Sequence, residues 1–238
     1  FVDAGARVAI LERDQARLDR VMQELDADGE VLACEVDIQD EQAVSEALDR
    51  IVRKWGQVDH LVNSAVSFVA AGKNASVSDW QLSLGVNVIA GARLVGRVAE
   101  IMPSGSSVVN VSSISAHVAQ PERWTYNTSK AAIVELTRCQ ALDLAPRGIR
   151  VNAVSPGWIW TPEVSRAANG DRNLWEPVWG EFHILRRLGE PEEVSGPILF
   201  LCSDTASFIT GAELMVDGGY RALGPEGHGK ESEFAGSN

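Results

Sequence analysis

Short apolar runs alternate with longer amphipathic stretches along the whole chain. "ARVAIL" is a run rich in branched residues, the pattern of a strand buried on both faces. Asp14 then caps a predicted helix in which Leu18, Val21, Met22 and Leu25 recur at helical spacing, with Gly29 as its expected end. "EVLACEVD" predicts a second strand. Asp40 opens the next helix, with Val44, Leu48, Ile51 and Trp55 on one stripe and Gly56 as its stop. "VDHLVNSA", "SSVVNVSS" and "GIRVNAVSP" are further continuous apolar strands with helical patterns between them, and "ELMVDGG" supplies the last. Such strands separated by helices predict an α/β fold, a parallel sheet covered on both faces, in one domain over residues 1–220. The stretch 158–187 is less regular. Residues 221–238 hold few large apolar side chains and read as a loose, flexible tail.

Composition narrows the function classes. The chain has 238 residues, 45% apolar and 23% charged, the balance of a globular protein with a full-sized core. A net charge of −12 argues against nucleic acid and anionic membrane surfaces as partners. No run approaches the roughly 18 consecutive apolar residues that read as a membrane span. Cys34, Cys139 and Cys202 are widely spaced, which predicts free thiols and a cytoplasmic setting. The four histidines lack metal-binding spacing, so no metal site is expected.

The most informative stretch is "YNTSK". If it opens a helix, Tyr126 and Lys130 share one face. A phenol is a poor base at neutral pH, with a pKa of about 10, and lowering it by about three units requires roughly 4 kcal/mol. One ammonium about 4 Å away at an effective dielectric near 20 supplies about that much. Ser113 stands 13 residues earlier, at the end of the strand "SVVNVSS", where parallel-sheet enzymes place their ligands. Asn87, in "GVNVIAG", lies another 26 residues back.

In this order and setting, Asn87, Ser113, Tyr126 and Lys130 closely resemble the catalytic tetrad of the short-chain dehydrogenase/reductase family. The resemblance runs from about Asp3 to Gly219 and includes "CEVDIQD", "PGWIWT" and "ITGAELMVDGG". It implies a Rossmann-type doubly wound sheet and an enzyme that moves hydride between nicotinamide and a secondary alcohol or ketone. Tyr126 would be general acid or base and Ser113 would hydrogen-bond the substrate oxygen. Lys130 would lower the tyrosine pKa and bind the nicotinamide ribose, and Asn87 would hold a water. An assembly of four or two identical chains is the family's habit. The alternative is a binding or regulatory protein that keeps the scaffold without catalysis.

The resemblance also places the cofactor. Glu12 would accept hydrogen bonds from the adenosine ribose and repel a 2′-phosphate, which favours NAD; the adjacent Arg13 keeps NADP as the alternative. Asp37 and Ile38 match residues that flank adenine, and Asn63 and Ala65 lie in the segment passing the cofactor. Pro156, Gly157, Ile159 and Thr161 match the segment against the carboxamide and pyrophosphate. One departure stands out: the family's Asn-Asn-Ala-Gly reads "NSAV" here, with Val66 where glycine would let the backbone pass close. In the family a first strand and a glycine-rich turn precede the segment matching Phe1–Gly5, so the chain as read is expected to lack them. The strand ending at Glu12 would then lie roughly 10 Å from the one ending at Asn63, about two strand spacings. The resemblance implies that the irregular stretch 158–187 folds over the substrate as a lid; Trp158, Trp160, Trp175 and Trp179 fall in it and suggest an apolar or ring-faced wall, or packing between subunits. Ser115, His117 and Gln120 are further candidates to face substrate.

Overall fold

The computed structural model describes residues 1–25, 30–224 and 227. Its strands are β1 (Val8–Glu12), β2 (Val31–Glu35), β3 (His60–Asn63), β4 (Ser107–Val111), β5 (Arg150–Pro156) and β6 (Glu213–Val216). Every pairing is parallel, and the strands form two sheets, β1–β2 and β3–β4–β5–β6. Among the described residues no strand joins β1 to β3. Gly29 and nearly all of the tail beyond Gly224 lie outside the described residues.

Helix starts follow their caps. The Asp14 carboxylate accepts from the Ala16 and Arg17 amides at the head of α1 (Gln15–Glu24), and Asp40 accepts from Gln42 and Ala43 at the head of α2 (Glu41–Trp55). Gly56, at φ 87°, ends α2 as its spacing predicts.

Two cores cover the two faces of the larger sheet. Adjacent strand residues point to opposite faces. Val108 therefore joins a core with Val44, Leu48 and Ile51 of α2 and with Leu94, Val95 and Val98 of α4 (Gly91–Ala99). That core also receives Cys34 and, from β1, Ala9 and Leu11, so it binds the small sheet to the large one. Val109 faces the other way, with Val154, onto Ile198, Leu201 and Cys202 of α8 (Pro191–Cys202). Val108, Val109, Val151 and Val154 are all 0% exposed, each worth about 1.5–3 kcal/mol of burial.

Two helical stretches go beyond what the sequence pattern shows. The helical stretch Val77–Ala99 has 23 residues and holds an 18-residue window of mean hydropathy 1.3, long and apolar enough by composition to cross a membrane. Ser, Asn and Gly interrupt its apolar residues, which is why no consecutive run shows it. It comprises α3 (Val77–Leu84), a π-helical turn (Gly85–Ala90) and α4, and α4 turns its apolar face into the core. The lid stretch is also more ordered than it reads. Thr161 and Pro162 start α6 (Pro162–Ala167), and Asp171 caps α7 (Arg172–Gly180). Arg172 then bridges Glu176 and Glu190, fastening α7 to the start of α8.

Candidate active site

Helix α5 (Trp124–Leu144) carries Tyr126 and Lys130 across the ends of β4 and β5. Ser112, Thr125 and Ser83 fix it there, while Ser129 bonds back within the helix. Ser112 Oγ donates to the Lys130 carbonyl (2.8 Å), and Ser129 Oγ to the Tyr126 carbonyl (2.8 Å). Thr125 Oγ1 donates to the Val69 carbonyl (2.7 Å) and accepts from the Ala71 amide (3.0 Å), drawing the segment after β3 onto the helix start. Ser83 Oγ donates to the Thr125 carbonyl (3.1 Å).

The four residues singled out from the sequence converge. Lys130 Nζ lies 5.7 Å from the centre of the Tyr126 ring and donates to the Val111 carbonyl at 2.9 Å. Ser113 lies near enough to the Tyr126 hydroxyl to lower its pKa, and its Oγ accepts from the Ser115 amide (3.1 Å). Asn87 sits in the π turn, whose wider winding is a frequent feature of functional helices. Its Oδ1 accepts from the Ser67 amide (2.6 Å), while Nδ2 donates to the Ser67 carbonyl (3.0 Å) and to Ser129 Oγ (2.9 Å). Both amide protons are therefore engaged within the protein. The side chain clamps three segments together.

Electrostatics depart from expectation. Burial pushes the Tyr126 phenol above its ordinary value, against smaller lowering effects of the Ser113 hydrogen bond and the Arg123 charge. The expected lowering by Lys130 is not what prevails. Lys130 is itself 3% exposed, and desolvation pushes it down to about 8. A cation taken out of water is a weaker, more readily lost charge than the exposed ammonium assumed from spacing alone.

The cofactor candidates divide between two places. Ile38, Asn63, Ala65 and Asn87 line one cleft with Asn110 and Val111, at the carboxyl ends of β3 and β4. Glu12 ends β1 and accepts from the Asp14 amide (2.9 Å); Asp37 follows β2 and accepts from the Gln39 amide (2.9 Å). The cleft lies outside the carboxyl ends of parallel strands, where such sheets place their ligands, and its volume in this structure is about 20 Å³. Pro156 ends β5. Gly157 and Ile159 line a separate cavity of about 460 Å³ with His183, Glu193 and Asp217. A Cβ on Gly157 would meet Asp217 Cα at 2.9 Å, so only glycine fits there. Thr161 Oγ1 accepts from the Val164 amide (3.3 Å) as the cap of α6.

The lid tryptophans pack on one another. Trp179 stacks between Trp158 (5.0 Å) and Trp175 (4.9 Å), and Arg172 lies over Trp160 (5.3 Å). Ser115 is bonded to Gln120 (2.8 Å), and His117 Nε2 to Glu213 Oε1 (2.6 Å). These three side chains are engaged with the protein itself. Sequence reasoning missed Asn110, which receives the Asn63 amide (2.9 Å) and donates to Thr137 and Gln140 of α5. Its signal was a lone amide inside an apolar strand. Phe68, stacked on Tyr126 at 5.9 Å, and Arg123 were also missed.

The family model described as "Enoyl-(Acyl carrier protein) reductase" matches residues 1–221. Human dehydrogenase/reductase SDR family member 2, mitochondrial, is 38% identical over 222 residues, 90% of this chain and 77% of that protein. The chain belongs to the short-chain dehydrogenase/reductase family. Among solved members, one from Caenorhabditis elegans determined with cofactor has a TM-score of 0.84 and 29% identity, covering 96% of this chain and 90% of that one. The structure of ElxO with NADP bound has a TM-score of 0.81 and 27% identity, covering 91% and 89%. The protein is thus an oxidoreductase of this family on its Rossmann-type α/β fold.

Proposed function

We propose that the protein is a nicotinamide-dependent dehydrogenase interconverting a secondary alcohol and a ketone, with Tyr126 as its proton-transfer group. The convergence of Ser113, Tyr126 and Lys130 at the ends of β4 and α5, clamped by Asn87, carries this reading. A bound nicotinamide supplies or accepts the hydride. Tyr126 passes a proton to the substrate oxygen during reduction and takes it back during oxidation. Ser113 donates a hydrogen bond to that oxygen as charge develops. Lys130 offers a buried ammonium to the ribose hydroxyls. Ile38, Asn63 and Ala65, with Glu12 and Asp37, would hold the adenosine side, and Pro156, Gly157, Ile159 and Thr161 the nicotinamide side.

The Glu12 carboxylate supports NAD, since it would repel a 2′-phosphate. Arg13 and the NADP-bound relative support NADP as the alternative. Buried thiols at Cys34 and Cys202 support a reducing, cytoplasmic setting. A homotetramer or homodimer is the assembly we expect. The test is a screen of secondary alcohols and ketones, including polyols and alicyclic and aromatic compounds, against NAD and NADP, followed by nicotinamide absorbance. Turnover with NAD preferred about tenfold or more is expected. Absence of both turnover and nicotinamide binding would leave a scaffold without catalysis.

A further inference from the structure

Tyr126 sits between two cations, Arg123 at the cap of its helix and Lys130 within it. Arg123 precedes it by three residues and Lys130 follows by four, so both occupy the tyrosine's face, one turn to either side. The Arg123 guanidinium carbon is 5.8 Å from the ring centre and Lys130 Nζ 5.7 Å. The two differ in durability. Lys130 is buried, donates to the Val111 carbonyl and is pushed down to about 8. Arg123 is half-buried at the start of α5, and a guanidinium keeps its charge at any working pH. Among the described residues Arg123 belongs to none of the ion pairs.

The other groups around Tyr126 leave that charge uncancelled. Ser113 faces it from the segment after β4, and the uncharged Phe68 ring from the segment after β3. Glu122, the nearest carboxylate in sequence, is turned against Gly72: a Cβ on that glycine would meet Glu122 Oε2 at 2.0 Å. Glu122 also takes a left-handed φ of 54°, a strained conformation that turns the chain into α5 immediately before Arg123.

We propose that Arg123 is a positioning residue that stabilises the Tyr126 phenolate as a permanent countercharge, beside the titratable Lys130. The inference rests on the role of Tyr126 proposed above. When the phenol gives its proton to a substrate oxygen it is left as phenolate, and in the reverse direction that phenolate recovers the proton from the alcohol. A fixed cation favours the phenolate side of both steps.

Tyr126 and Tyr220 are the two tyrosines of the chain, so a Tyr220→Phe background isolates Tyr126 for titration by phenolate absorbance. Arg123→Gln should ionise at higher pH than this parent, with Arg123→Lys close to it. In alcohol oxidation, Arg123→Gln should turn over about fivefold more slowly on the rising limb of the pH profile and recover as pH is raised. An unmoved titration in Arg123→Gln overturns the inference whatever the turnover. A turnover loss that higher pH does not restore marks a structural role and overturns it as well. The titration needs no substrate, so it separates this inference from the dehydrogenase reading, which falls instead if the parent ionises as expected but turns over no alcohol.

Discussion

Strands β1 and β4 are both short runs rich in branched apolar residues, yet they occupy different environments. All five residues of β1 remain partly exposed, whereas the first four of β4 are buried. The difference is in their neighbours. β4 lies between β3 and β5 with helices on both faces, while β1 is hydrogen-bonded to β2 alone. An apolar run specifies that a strand forms; the strands beside it decide how deeply it is buried. The division extends to function. Ser113, Tyr126 and Lys130 are attached to the four-stranded half, and the candidates for adenosine, Glu12 and Asp37, to the two-stranded half.

The largest effect that would break this comparison is on stability. Val151 in β5 is 0% exposed, and Val151→Ala should cost about 2–3 kcal/mol in chemical denaturation. Val8→Ala, the same deletion in β1, should cost less than about 1 kcal/mol. Equal losses would show that the two halves are packed alike.

A smaller effect concerns the charge hidden in the four-stranded half. Lys130 is lowered from its ordinary 10.5 to about 8. Between those values the unfolded chain binds the proton that the folded one releases, so this residue makes stability rise with pH across that window. Below about 8 both states are protonated and the cost of burying the ammonium is fully present. Denaturation midpoints should therefore climb from pH 8 toward 10, by at most about 1 kcal/mol per pH unit. Tyr126, raised by burial, opposes this only as pH passes its ordinary 10. In Lys130→Met the climb should flatten; an identical slope in both proteins would mean the lysine is not a buried cation.

Much of this architecture was legible in the sequence. Asp14 and Asp40 cap helices because each stands before an apolar stripe of helical period, and Ser113 falls just past the strand that its apolar run predicts. What spacing could not show was depth. Tyr126 and Lys130 are one turn apart as expected, but burial raises the one and depresses the other, which no interval in a sequence records. The clamp by Asn87 and the Asn63–Asn110 tie depend on which segments meet across the sheet. The helices α6 and α7 were obscured by tryptophans and prolines, although Thr161 and Asp171 carry ordinary cap signals.

The central claim is that the Tyr126 hydroxyl moves the proton in an alcohol–ketone interconversion. Tyr126→Phe removes that oxygen and keeps the ring against Phe68 and Lys130. Steady-state turnover with the best substrate from the screen, measured beside NAD affinity, tests it most directly. Turnover should fall about a hundred- to ten-thousandfold while NAD affinity stays within about twofold. A variant that keeps more than about a tenth of the parent's turnover would contradict the account.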